Sequence, residues 1–180
     1  MAAAHPGPRI ELWFEDEARI GAKGRTGHRW WVRGERPRGL RQQGYEWAHL
    51  FGAVRPATGE SFALVLPEVS TAAMQVFLDH FAATMQENVH VALVLDRAGW
   101  HGSRDLIVPP NISLIPLPPY APELNPVERV WLHLRECLLS HRLLDTYDAI
   151  LEACCEAWNV LTPERLRSLT AFSWITRVTS

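Results

Sequence analysis

Apolar and polar residues alternate over residues 9–15 (RIELWFE), which predicts a β-strand that runs into Asp16. Residues 28–33 (HRWWVR) read as a short strand set among glycines, and 46–54 (EWAHLFGAV) as a longer one. The turn residues Pro56 to Gly59 then return the chain into 60–66 (ESFALVL), so 46–66 predicts a hairpin. After it the period changes. Met74, Phe77, Leu78, Phe81, Ala82 and Met85 recur at helical spacing, with Ser70 or Thr71 as N-cap. Residues 90–95 (HVALVL) are apolar without interruption, as in a central strand covered on both faces, and the run ends at Asp96.

Residues 98–111 carry no clear period, and 112–117 (ISLIPL) predict a fifth strand, at an edge because Pro116 lacks a backbone donor. Beyond a proline-rich loop, Val127, Val130, Trp131, Leu134 and Leu138 give a helix over 126–140 its apolar stripe. A second helix covers 147–159, with Tyr147, Ile150, Leu151, Cys154 and Trp158 facing inward. A third starts at Thr162-Pro163, an N-cap followed by proline. Strands, helix, strands, helices: the order predicts an α/β fold, with a mixed central sheet of about five strands flanked by helices.

The 180 residues fit one domain, and 47% hydrophobic with 21% charged is an ordinary soluble composition. No run of about 18 apolar residues predicts a membrane span, and the N-terminus lacks a signal-peptide pattern. Cys137, Cys154 and Cys155 follow no metal-ligand spacing and read as buried, reduced thiols on helices. The eight histidines form no zinc motif. The net charge of −2 hides a sharp asymmetry. Residues 19–41 hold Arg19, Lys23, Arg25, Arg29, Arg33, Arg36, Arg38 and Arg41 against Glu35, a net +7, which leaves −9 for the rest. Such a basic insertion is the electrostatic footprint of a nucleic-acid partner. Seventeen of the eighteen basic residues are Arg, which suits bidentate phosphate contacts.

Three acids stand out by position. Asp16 and Asp96 end strands, and Glu128 lies in the first turn of the helix after Asn125-Pro126. In open α/β sheets ligands bind beyond the carboxyl ends of strands, so the two aspartates meet there if their strands are neighbours. Clustered carboxylates need cations to coexist, and hard divalent ions with oxygen ligands meet that need. Two such ions, about 3.5–4 Å apart, activate an attacking oxygen and stabilise a leaving one at a phosphodiester. Each acid also has a plainer reading: Asp96 as a turn or helix cap, Asp16 as one of three solvated acids, and Glu128 as the partner of Asn125 in a loose capping box.

Three blocks carry a family resemblance: Phe14-Glu15-Asp16-Glu17-Ala18-Arg19, Leu95-Asp96-Arg97-Ala98-Gly99-Trp100-His101, and the long stretch from Leu117 to Glu128 (LPPYAPELNPVE). In this order they resemble the catalytic blocks of the IS630 group of the IS630/Tc1/mariner transposases. The resemblance implies an RNase H-like fold and a DDE active site of Asp16, Asp96 and Glu128 holding two Mg²⁺ ions, with Mn²⁺ as a substitute. It leaves Glu123 a loop role. It also implies cut-and-paste DNA transposition by cleavage at a transposon end and strand transfer into target DNA, at TA by analogy. A homodimer on paired DNA ends and a bacterial, cytoplasmic, nucleoid-associated location go with it. Between Asp96 and Glu128 stand 31 residues, a few fewer than the group's usual spacing, which predicts a shortened helix between the last two strands. Residues 1–180 are expected to be a single catalytic domain without the family's N-terminal helix-turn-helix module.

The strip 19–41 is the expected DNA-contact surface, with one of Trp30 and Trp31 exposed for stacking or both packed in a hairpin. His101 either assists at the site or is an ordinary loop histidine, and Trp100 and Trp131 are core or site-lining residues. Two rival functions share these features: an RNase H-like nuclease without strand transfer, and a decayed, non-catalytic DNA-binding remnant.

Overall fold

The computed structural model describes residues 7–21, 33–34, 46–140, 142 and 144–175. Five strands form one mixed sheet: β1 (Arg9–Gly21), β2 (Trp47–Arg55), β3 (Glu60–Leu66), β4 (Val89–Leu95) and β5 (Ile112–Pro116), in the order β3-β2-β1-β4-β5. β1 lies at the centre. It pairs antiparallel with β2 and parallel with β4, which pairs parallel with β5. The hairpin of β2 and β3 turns at residues 56–59, with Gly59 at φ +77°.

β1 is longer than its alternation predicts. Asp16 lies inside the strand, which runs on to Gly21 opposite Trp47 of β2. Its parallel ladder with β4 stops earlier, at Phe14 and Val94. The three consecutive acids break the apolar alternation that marks a strand, but the β2 ladder holds the backbone extended through them. β4 is buried along its whole length, as its unbroken apolar run requires. β5 takes the edge, where Pro116 needs no ladder donor.

Strand parity divides the core into two layers. On one face Trp13, Phe51, Leu93 and Val91 pack against α1 (Thr71–Ala83) through Met74, Phe77, Leu78 and Phe81, with Trp13 and Phe81 edge to face at 5.1 Å. On the other, Phe14, Leu50, Val54 and Val94 pack against α2 (Val127–His133), α3 (Tyr147–Asn159) and α4 (Pro163–Leu169). Ser70, Thr146 and Thr162 cap α1, α3 and α4 with hydrogen bonds from Ala73, Ala149 and Arg165 N–H. α2 continues into a π-helical stretch, Leu134–Leu138, closed by Leu139 N–H donating to Leu134 O.

Some expectations change. Ile150, Cys154 and Trp158 of α3 point inward with Ala153 and Ala157, whereas Leu151 is exposed and Tyr147 only half-buried. Cys154 alone of the cysteines is buried, and burial, then Cys155 beside it, pushes its thiol up to about 12. Residues 97–111 contain no helix, so the short spacing is taken up by turns. Gln75 of α1 pins this segment by accepting from Ile107 N–H and donating to Ile107 O. The expected strand 28–33 lies outside the described residues except for Arg33, which sits with Gly34 in a turn. Among the described residues no helix is long and apolar enough to cross a membrane.

Phe77 is fully buried between Phe51, Phe62 and Phe81. Phe77→Ala should cost about 3–5 kcal/mol, read as a lower urea midpoint at unchanged m-value.

Candidate active site

The three acids of β1 do not share a face. Phe14, Asp16 and Ala18 turn toward the layer of α2 and α3, whereas Trp13, Glu15 and Glu17 turn toward the other. Asp16 stands opposite Gly52 of β2. A Cβ at position 52 would come within 2.6 Å of the Trp131 ring and 2.8 Å of the Trp158 ring. The missing side chain therefore admits both indoles against the sheet, and Trp131 Nε1 donates to Asp16 Oδ2 at 2.9 Å.

Glu128 is brought to the same place from α2. The capping-box reading does not hold, because Asn125 N–H donates to Pro122 O instead of to a Glu128 oxygen. Buried Asn125 does a different job. Its Nδ2 donates to the Glu15 carbonyl of β1, and its Oδ1 accepts from Val127 N–H. One side chain thus joins the start of α2 to the strand that carries Asp16. Glu128 is exposed, and its charge acts on Asp16. Burial first, then Glu128 and Glu17, raise the Asp16 carboxyl to about 7, against the opposing hydrogen bonds from Trp131 and the Glu17 backbone.

Asp96 follows the last residue of β4. Phe14 pairs with Val94, so Asp16 and Asp96 stand at one level, each two residues past the end of the parallel ladder. Asp96 is largely exposed. Its Oδ1 accepts from Ala98 N–H at 2.8 Å and lies 3.0 Å from His101 Nδ1. The charges acting most strongly on Asp16 are Glu128 and Glu17, whereas Asp96 acts on Glu15. Glu128 thus acts on Asp16 through its charge, and Asp96 stands at the level of Asp16 on the neighbouring strand, with one carboxylate oxygen engaged toward His101.

His101 is no ordinary loop histidine. It is buried, with Nε2 3.0 Å from Glu17 Oε1, which also accepts from Trp100 Nε1 at 2.7 Å. Burial would lower its pKa, but Glu17 and Asp96 outweigh that and raise it. Glu15 is wholly buried, and burial, then Glu17, Asp16 and Asp96, lift its carboxyl well above the usual range. Sequence reasoning left His101 undecided, read Asn125 only as a cap, and gave Glu15 and Gly52 no role of their own. The signals were the polar residues that break otherwise apolar stretches and the five-residue step from Asp96 to His101 within one block. Of the basic strip, Arg19 is exposed on β1 with its guanidinium 4.3 Å over the Trp47 ring, and Arg33 is exposed in its turn. Lys23, Arg25, Arg29, Arg36, Arg38 and Arg41, with Trp30 and Trp31, lie outside the described residues. Glu123 is exposed in a short 3₁₀ turn, Pro122–Leu124.

Comparison with known proteins gives the family of this sheet and its acids. The chain belongs to the DDE superfamily endonuclease family, whose model matches residues 11–151. It is 45% identical over 133 residues to the uncharacterized protein y4pE/y4sA of Sinorhizobium fredii, covering 73% of this chain and 98% of that one. It is 26% identical over 168 residues to the insertion element IS630 uncharacterized 39 kDa protein of Shigella sonnei, covering 91% of this chain and 45% of that protein. The fold is similar to that of Mos1 in its strand transfer complex, with a TM-score of 0.70 at 17% identity, covering 89% of this chain and 50% of Mos1. It is also similar to the catalytic core domain of BIV integrase, with a TM-score of 0.52 at 16% identity over 93% of this chain. The chain therefore spans about half the length of the IS630 protein and of Mos1. The expected RNase H-like fold stands, and the similarity to the IS630 protein is in line with the expected IS630 resemblance.

The Asp16 shift sets a pH dependence. In the metal-free protein the folded carboxyl keeps its proton up to about pH 7, whereas the unfolded one releases it near the ordinary value of 3.8. Stability is therefore lost as pH rises through that window. Asp16→Asn should stabilise the protein in chelator above pH 7 by about 2–4 kcal/mol, and leave it unchanged below the ordinary carboxylate range. Urea unfolding at the two pH values measures the difference.

Proposed function

We propose that this chain is the catalytic domain of a DDE transposase, with Asp16, Asp96 and Glu128 as its acidic triad. The observation that carries the reading is the shared level of Asp16 and Asp96 on neighbouring strands, two residues past their parallel ladder, with the charge of Glu128 acting on Asp16. Carboxylates that raise one another's pKa are favoured in their charged forms by a cation among them. Their donors are all oxygens and Glu128 and Asp96 are open to solvent, so the residues fit hard divalent ions that retain waters and take up phosphate oxygens. Two Mg²⁺ ions held by the triad, replaceable by Mn²⁺, would supply activation of the attacking oxygen and stabilisation of the leaving oxygen of a phosphodiester. Mos1 paired-end complexes solved with Mn and with Mg support that choice.

The chain's own residues do the positioning. Trp131 donates to Asp16 Oδ2 and holds the carboxylate in one orientation. Asn125 sets the height of Glu128 over β1. The Ala98 N–H engages Asp96 Oδ1 and leaves Oδ2 free. The phosphodiester lies past the end of the β1–β4 ladder, and the basic strip, with Arg19, Lys23, Arg25, Arg29, Arg33, Arg36, Arg38 and Arg41, neutralises the flanking DNA phosphates. Cleavage at a transposon end frees a 3′-hydroxyl, which then attacks target DNA in strand transfer. As in the Mos1 paired-end complexes, two ends are brought together, here by a homodimer.

Asp96→Asn should cut Mg²⁺-dependent DNA cleavage by more than the roughly 100-fold that loss of an outer-shell metal partner costs. Its unfolding midpoint should be unchanged, because the Asp96 side chain is 56% exposed. Full activity in this variant overturns the triad. A strand-transfer assay with a pre-cut end separates a transposase, which joins it to target DNA, from a nuclease, which does not.

A further inference from the structure

The face of β1 turned away from Asp16 carries a second set of ligand atoms. Glu15 and Glu17 are two residues apart on one strand and therefore project to the same side. The loop after β4 lays His101 over them, and the three side chains offer one ligand atom each within 4.8 Å of one another. His101 Nε2 is 3.0 Å from Glu17 Oε1 and 3.7 Å from Glu15 Oε2. The side chains are 0%, 8% and 2% exposed for Glu15, Glu17 and His101. Neither oxygen of Glu15 has a hydrogen-bond partner among the described residues. A buried carboxylate in that position is tolerated when it is paired or coordinates a metal.

We propose that Glu15, Glu17 and His101 form a buried Zn²⁺ site behind the catalytic face. The histidine is arranged as a ligand. Its Nδ1 faces the Asp96 carbonyl at 3.2 Å and Asp96 Oδ1 at 3.0 Å, both acceptors, so the ring proton belongs there and Nε2 is left for the ion. Trp100 Nε1 donates to Glu17 Oε1, an outer hydrogen bond that orients the ligating carboxylate. A tetrahedral site with bonds of about 2.0–2.2 Å places its ligand atoms about 3.4 Å apart. The observed 3.0 and 3.7 Å bracket that value. Glu15 Oε1, equally without a partner, can share the vertex of Oε2 in a bidentate mode. Two carboxylates and a divalent ion leave the dry site neutral. Mg²⁺ is a poor occupant because it demands near-octahedral oxygen coordination and keeps its waters, whereas an imidazole with two carboxylates in a closed site suits Zn²⁺. The ion clamps the loop carrying Asp96 to β1.

The site shares no ligating side chain with the triad, so the test begins by disabling the triad. The full chain carrying Asp16→Asn and Glu128→Gln, dialysed against Zn²⁺ in a large excess of Mg²⁺, should retain one equivalent of Zn²⁺ per chain by elemental analysis. Adding Glu15→Gln or His101→Ala should weaken Zn²⁺ binding by at least roughly 100-fold in a competition titration. Chelator should lower the thermal midpoint of the parent and leave that of Glu15→Gln unmoved. Glu15→Gln is nearly isosteric, so it decides the matter even if His101→Ala fails to fold. A parent that retains no Zn²⁺, or a Glu15→Gln variant that binds it as tightly as the parent, overturns the proposal. Neither result decides whether the triad cleaves DNA, which the Asp96→Asn assay reads.

Discussion

The parallel ladder between β1 and β4 stops at Phe14 and Val94, and the geometry around the acids follows from that stop. Two residues further on, one strand presents Asp16 and the other ends in Asp96. β2 keeps β1 extended beyond the point where β4 leaves it, so Asp16 has a rigid backbone on one side and open space on the other. Strand parity then sorts Glu15, Asp16 and Glu17. The middle acid faces the α2 layer, and its neighbours face the layer beneath the 96–101 loop. A shift of register by one residue would exchange the two sets.

The helix layer is fitted to this strand by polar contacts in an apolar setting. Gly52 opens the sheet surface opposite Asp16, Trp131 and Trp158 fill the opening, and the Trp131 indole N–H ends on the Asp16 carboxylate. Asn125 satisfies a β1 carbonyl and the first turn of α2 with one amide. A buried amide with both ends engaged specifies a position more sharply than apolar packing alone, because any slide of α2 leaves a polar group unpaired. The two apolar layers offset the cost of the buried carboxylates. The carboxylates are also where the local rule that acids stay in water is broken, as functional sites tend to do.

Legibility in the sequence followed the strength of each local signal. The hairpin, β4, α3 and α4 lie almost where periodicity put them, and Thr162 with Pro163 fixes the start of α4 within a single turn. β1 was cut short because its acids interrupt the alternation, and the backbone there is held by β2, some thirty residues away along the chain. The helix expected between β4 and β5 is absent, and its length is replaced by turns pinned to Gln75. Leu151 was misplaced because the inward arc of α3 is set by contacts with the sheet and α2.

The residues themselves determined the α/β class, the two apolar layers and the three motif blocks, because hydrophobic period and short-range chemistry are written locally. They also placed Asp96 after its strand and Glu128 in the first turn of its helix, whereas Asp16, expected at a strand end, lies inside β1. Tertiary structure alone decided which acids meet. Asp16 faces Glu128 and Trp131, whereas Glu15 and Glu17 converge on His101, more than eighty residues distant in the chain. Strand parity assigns a face, but only the packing of a helix or loop on that face supplies the charge, the donor or the dry enclosure that sets a carboxylate's chemistry.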